Sequence, residues 1–196
     1  MSASRVVLVA GGLLLAALGG AASAARPVPT PIGVTPGYRL PASSAAVRAA
    51  RTVGSFACSA ATPRRFRVHL ELFARRLVLI VPAGIGISPP LRRDGAFVLG
   101  GRCTYPLRTR EPTGVVEVGP AGPVTVGDLF RVWGQPLSAR RLAGFRSASP
   151  VQAFVNGRRV TGDPRAIPLR QHDEIVLEIG GYVPPHTSYL FPKGTP

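Results

Sequence analysis

The chain has 196 residues and is strongly basic: 24 Lys and Arg stand against 9 Asp and Glu, for a formal net charge of +15. Two cysteines exclude a multi-disulfide scaffold, and three scattered histidines give no metal-ligand spacing on their own. The arginine excess points towards polyanions. However, Lys193 is the only lysine and the arginines stand in separate pairs such as Arg75-Arg76 and Arg158-Arg159. That spread matches a coding bias towards Arg, Ala, Gly and Pro, and it argues against a nucleic-acid-binding block.

Arg5 precedes an uncharged run from Val6 to Ala25 that closes on Ala22-Ser23-Ala24. A basic start, an apolar middle and a small-x-small end make a signal peptide over 1–24. The expected location is therefore secreted or extracytoplasmic, with an uncut N-terminal membrane anchor as the alternative. Five prolines between Arg26 and Pro41 place a Pro-rich linker over 25–53, with a turn or two of helix near Ser44–Val53. The folded domain is expected over 54–183, followed by a Pro-rich tail over 184–196. In an oxidising compartment, Cys58 and Cys103 are most simply one disulfide.

Phe66, Val68, Leu70 and Leu72 alternate with Arg65, Arg67, His69 and Glu71, the period of a half-buried strand. Leu77–Val81 supplies its hairpin partner, and short strands follow at Ala96–Leu99 and Val115–Val118. Thr125 with Asp128 three residues on predicts a capped helix start. Val126, Leu129, Phe130 and Trp133 form one apolar stripe, and Gly134 and Pro136 end the helix. Val151–Val155 and Arg158–Val160 flank Asn156-Gly157, the pair a type I′ hairpin prefers. Glu174–Ile179 is the last strand. The predicted fold is α+β, a small and mainly antiparallel sheet with one packed helix. Its C-terminal half is compatible, by analogy, with a ubiquitin-like β-grasp.

No nucleophile elbow, phosphate-binding glycine loop or paired catalytic acids appear, so no enzyme activity and no cofactor is expected. His69, His172 and His186 each read as surface histidines.

Several segments resemble a family of uncharacterised bacterial secreted proteins. Its pattern runs H-x-H-x-H-L, V-P-A-G-I-G, C-x-x-x-L-H-T-H, G-I-I-H-V-E, and then a helix ending W-G-Q-P-L. The counterparts here are His69-Leu70, Val81–Gly86, Cys103 with Leu107, Gly114, and Trp133-Gly134-Gln135-Pro136-Leu137. Phe154-Val155-Asn156-Gly157 and Gly162–Leu169 continue the match. The histidine-rich pattern implies a Cu- or Zn-binding surface in relatives. Here Arg65, Arg67, Arg108, Arg110 and Glu117 stand at the histidine positions, and arginine repels cations. The expectation is an arginine-rich polar face formed by Arg65, Arg67, His69, Arg108, Arg110 and Glu117. Glu71, Glu111 and Glu117 are its candidate ion-pair partners. Such a face suits anionic small molecules or a cell-surface polymer. The alternative is a residual metal site built from His69, Glu117 and His172.

Overall fold

A computed structural model of the protein describes residues 38–61 and 63–191. The signal peptide expected over 1–24, residues 25–37 of the linker and residues 192–196 lie outside the described residues.

In chain order the strands are β1 (Tyr38–Arg39), β2 (Phe66–Ala74), β3 (Leu77–Ile80), β4 (Ile87–Ser88), β5 (Arg92–Asp94), β6 (Phe97–Gly100) and β7 (Cys103–Thr104). There follow β8 (Leu107–Arg108), β9 (Val115–Val118), β10 (Leu137–Ser138), β11 (Arg141–Leu142), β12 (Phe145–Arg146), β13 (Gln152–Val155), β14 (Arg158–Val160) and β15 (Glu174–Ile179). Helix α1 spans Ala45–Arg48 and α2 spans Val126–Trp133, with a 3₁₀ turn at Pro164–Ala166.

The main sheet has the order β1-β3-β2-β15-β13-β14, and β8-β9 joins the N-terminal half of β2. This is the predicted α+β class, mainly antiparallel but with two parallel pairings, β1 with β3 and β2 with β15. The central parallel pair follows from the connection: the chain leaves β2 through the β3 hairpin and returns on the other side of β2 as β15, after α2 and the β13-β14 hairpin. Hairpin, helix, hairpin and final strand alongside the first make the β-grasp order. The first hairpin therefore belongs to that arrangement along with the C-terminal half.

One face of the sheet carries the core. Val68, Leu70 and Leu72 of β2, Val116 and Val118 of β9, and Ile175, Leu177 and Ile179 of β15 pack with Leu129, Phe130 and Trp133 of α2. All are buried, and each large side chain so removed from water contributes about 1.5–3 kcal/mol. Helix α2 starts as predicted. Asp128 N–H donates to Thr125 Oγ1 and Thr125 N–H donates to Asp128 Oδ2, a cap worth roughly 1 kcal/mol. Gly134 ends the helix at φ +78°.

The linker expected up to residue 53 ends sooner. Strand β1 pairs with β3, and Val47 and Val53 enter the core. The Trp133 indole N–H donates to the Pro41 carbonyl at 2.7 Å. A buried tryptophan needs such an acceptor, and this segment supplies it. The predicted disulfide links Cys58 and Cys103 across 45 residues, with Cα atoms 5.5 Å apart. Among the described residues, no helix is long and apolar enough to cross a membrane.

The Pro-rich tail also differs from expectation. Residues 182–191 lie along the sheet face opposite α2. Val183 N–H donates to Glu178 Oε2 at 3.2 Å, and Tyr182 contacts Phe154 at a ring distance of 6.2 Å. Tyr189 stacks on His69 at 3.8 Å.

Candidate functional site

The register of the sheet decides which side chains meet on that second face. Arg67, His69, Glu71 and Phe73 alternate with the core residues of β2. Glu117 sits opposite Arg67, and Arg108 sits opposite Glu117. On the other side Glu174 is opposite His69, and Val176 is opposite Glu71. The face is divided: one end is arginine-rich, the middle is acidic and histidine-bearing, and the far end is a small apolar cluster of Phe73, Phe154 and Val176.

At the basic end, Arg108 donates from Nε and Nη2 to Glu117 Oε2, both at 2.7 Å. Arg67 Nη2 lies 3.6 Å from the other carboxylate oxygen. Arg65 is nine-tenths buried. It donates to the Pro106 carbonyl at 2.5 Å and to Thr104 Oγ1 at 3.3 Å, while its buried Nε finds no hydrogen-bond partner. Burial, and next the charge of Arg108, hold the Arg65 guanidinium down to about 10, with Glu117 opposing. Arg67 and Arg108 thus share one carboxylate, with the Arg65 guanidinium close enough to feel the charge of both Arg108 and Glu117. Of these arginines, Arg65 lines an open groove of about 370 Å³, together with Arg64, Phe66, Gly119, Pro120 and Gln171 among others.

In the middle of the face, His69 is buried. Its Nε2 is 2.7 Å from the Thr113 carbonyl, and Nδ1 is 2.7 Å from Glu174 Oε2. A carbonyl only accepts, so Nε2 carries the proton. The Nδ1 contact then holds one further proton, shared between imidazole and carboxylate. Glu71 Oε1 stands 4.0 Å from Nδ1 on the other side. His186, from the C-terminal segment, meets both Glu71 oxygens at 2.8 and 3.0 Å. Burial pushes the Glu174 carboxyl up, opposed by His69. The hydrogen bond to Glu71 pushes His186 up.

Two local features hold this group in place. Gly114 adopts φ +87°, and a Cβ there would overlap the Leu70 carbonyl oxygen and stand 2.9 Å from His69 Nε2. Only glycine lets the Thr113 carbonyl reach the ring. Asn156, at φ 52° in the hairpin turn, accepts from Glu174 N–H at 2.8 Å and donates to Asp173 at 2.8 Å. It thereby anchors the start of β15.

Of the six residues assigned to the polar face, Arg65, Arg67, Arg108 and Glu117 gather into one cluster. His69 adjoins them on β2 but turns to Glu174. Arg110 departs: β8 ends at Arg108, Thr109 is buried with its hydroxyl donating to the Pro82 carbonyl at 2.6 Å, and Arg110 donates to the Val98 carbonyl at 3.1 Å. The alternative set of His69, Glu117 and His172 does not assemble. Glu117 is held by two arginines, and the His172 ring packs on Phe191 at 5.0 Å. His69 is not a surface histidine, being buried and roofed by Tyr189, whereas His186 is a surface histidine hydrogen-bonded to Glu71.

Sequence reasoning missed Glu174, His186 and Tyr189. The available signal was Tyr182, Tyr189 and Phe191 among the prolines, since three aromatics in ten residues are costly to leave in water. No protein-family model matches the chain, and no curated protein or solved structure matches it either.

Proposed function

We propose that this is an exported, non-enzymatic binding domain whose Arg65, Arg67 and Arg108 cluster takes oxyanions of the phosphate or sulfate type. The anion is either free or carried on a cell-surface polymer. The observation that carries this reading is the charge imbalance at the basic end. Arg67 and Arg108 share the single carboxylate of Glu117, and the neighbouring buried Arg65, which lines an open groove, has an Nε with no acceptor. An entering oxyanion supplies the missing acceptors, and guanidinium forks match its geometry. Export rests on the N-terminal pattern and agrees with the Cys58–Cys103 bond. Cleavage after Ala24 leaves a mature chain beginning at Ala25, which intact mass reads directly.

The test is calorimetric titration of the mature protein at low ionic strength with inorganic phosphate, sulfate and a phosphate-bearing wall polymer. Binding that weakens steeply with added salt, and that is lost in Arg67→Gln/Arg108→Gln, supports the proposal. Tighter binding of the polymer than of free phosphate identifies the polymer as the source. Absence of any salt-sensitive binding in all three arms overturns the reading.

A further inference from the structure

We infer that His69, Glu71, Glu174 and His186 form a binding site for a first-row divalent cation, for which Zn²⁺ is the fitting probe. The inference does not rest on the oxyanion reading, because the residues are different and the charge is opposite.

The arrangement begins with the tautomer of His69. Its Nε2–H is committed to the Thr113 carbonyl, so the lone pair of the neutral ring lies on Nδ1, on the side of the two carboxylates. A ring nitrogen that ligates a metal usually donates its other N–H to a carbonyl or carboxylate, and that outer bond is already made. One ligand atom each from His69, Glu71 and Glu174 lie within 4.8 Å of one another, and all three residues are buried. His186 Nδ1 adds a second imidazole, 2.8 Å from Glu71 Oε2. Zinc bonds to nitrogen and carboxylate oxygen of about 2.0–2.2 Å put tetrahedral ligand atoms roughly 3.3–3.6 Å apart. The group reaches that spacing by opening the His69–Glu174 contact and drawing Glu71 inward.

The second observation is an unsatisfied one. Glu174 is 1 % exposed, yet its Oε1 has no hydrogen-bond partner. A buried carboxylate oxygen without a donor is costly, and a cation in the cluster satisfies it. Burial disfavours two negative charges on the adjacent Glu71 and Glu174 carboxylates. A divalent cation balances the pair outright. Two imidazoles with two carboxylates favour zinc-like ions over the all-oxygen preference of Mg²⁺ and Ca²⁺.

Access and closure come from the C-terminal segment. The His186 side chain is 48 % exposed, which leaves a route for the ion. Pro184 and Pro185 stiffen the approach to it, and Tyr189 covers His69.

The experiment uses the full chain, purified without chelator and without a histidine tag. Zn²⁺ is titrated by calorimetry, and bound metal is counted by elemental analysis after dialysis. The expected result is one Zn²⁺ per chain, together with a rise in melting temperature on adding Zn²⁺. Removing a group that only orients a ligand already costs about 10–100-fold in metal affinity. Loss of a ligand in His186→Ala or Glu174→Gln should therefore weaken binding by at least roughly tenfold. His172→Ala, outside the set, should bind as the parent does. His186 lies half-exposed in a segment without regular structure, so its variant keeps the test alive if Glu174→Gln fails to fold. Sub-stoichiometric zinc in the parent, or equal affinity in the parent and His186→Ala, overturns the assignment.

Discussion

Replacing Glu117 by glutamine is the most direct probe of the basic end. Glu117 is 7 % exposed and is the carboxylate that Arg67 and Arg108 share. The amide keeps the shape but removes the charge, leaving Arg67 of β2 and Arg108 of β8 without their shared counter-charge and Arg65 beside Arg108. Removing one partner of a buried ion pair costs about 3–5 kcal/mol. The arginine side chains retain 22 % and 14 % exposure, so water screens part of the repulsion and the loss should sit near 3 kcal/mol. Urea unfolding followed by circular dichroism reads this. With a slope of about 1–3 kcal/mol per molar, the midpoint should fall by roughly 1–3 M. Phosphate should restore much of the loss, because an anion occupying the vacated charge contributes about 2.7 kcal/mol at a hundredfold excess over its dissociation constant. A loss below about 0.5 kcal/mol, the size expected of an exposed pair, would refute the claim that this cluster is charge-strained.

Three further outcomes test other parts of the molecule. Cys58→Ser/Cys103→Ser opens a loop spanning 45 residues and should lower stability by about 4 kcal/mol on loop-closure entropy, read by the same urea midpoint. Burial pushes the Glu178 carboxyl up, so its protonated form is the one the fold favours. Stability should fall as pH rises from the free carboxyl value through the raised folded value, and stay level above it. In thermal melts, Glu178→Gln should flatten part of that decline and melt higher than the parent at pH 8. Gly114→Ala places a Cβ on the Leu70 carbonyl at φ +87° and should cost more than about 2 kcal/mol. Its histidine NMR signals should also show His69 displaced from Thr113.

What could be read from the sequence was set by distance along the chain. The β2-β3 hairpin, the Thr125–Asp128 cap, the Asn156-Gly157 turn and the alternation in β15 are each encoded within about ten residues, and all are where local patterning predicted. The pairing of β15 with β2 joins Glu174 to His69 across 105 residues, and no local period carries that information. The His69–Glu71–Glu174 group was therefore invisible, although alternation had already put His69 and Glu71 on one face. Arg110 misled because the alternation in Leu107-Arg108-Thr109-Arg110 imitates a strand. Thr109 is instead pulled inward, where it accepts from Ile85 N–H and donates to the Pro82 carbonyl. Both ends of the domain were set too short for one reason. Proline content marked the flanking segments as chain without a core, whereas Val47, Val53, Tyr189 and Phe191 each dock singly.

The bond from the Trp133 indole to the Pro41 carbonyl makes the chain its own optical gauge. Trp133 is the sole tryptophan, so all indole emission comes from a ring that is 1 % exposed and capped by the segment that precedes α1. Peeling that segment away would wet the ring and move its emission to longer wavelength while the sheet remained intact. A spectrum recorded during limited proteolysis would then distinguish an undocked N-terminal arm from an unfolded domain.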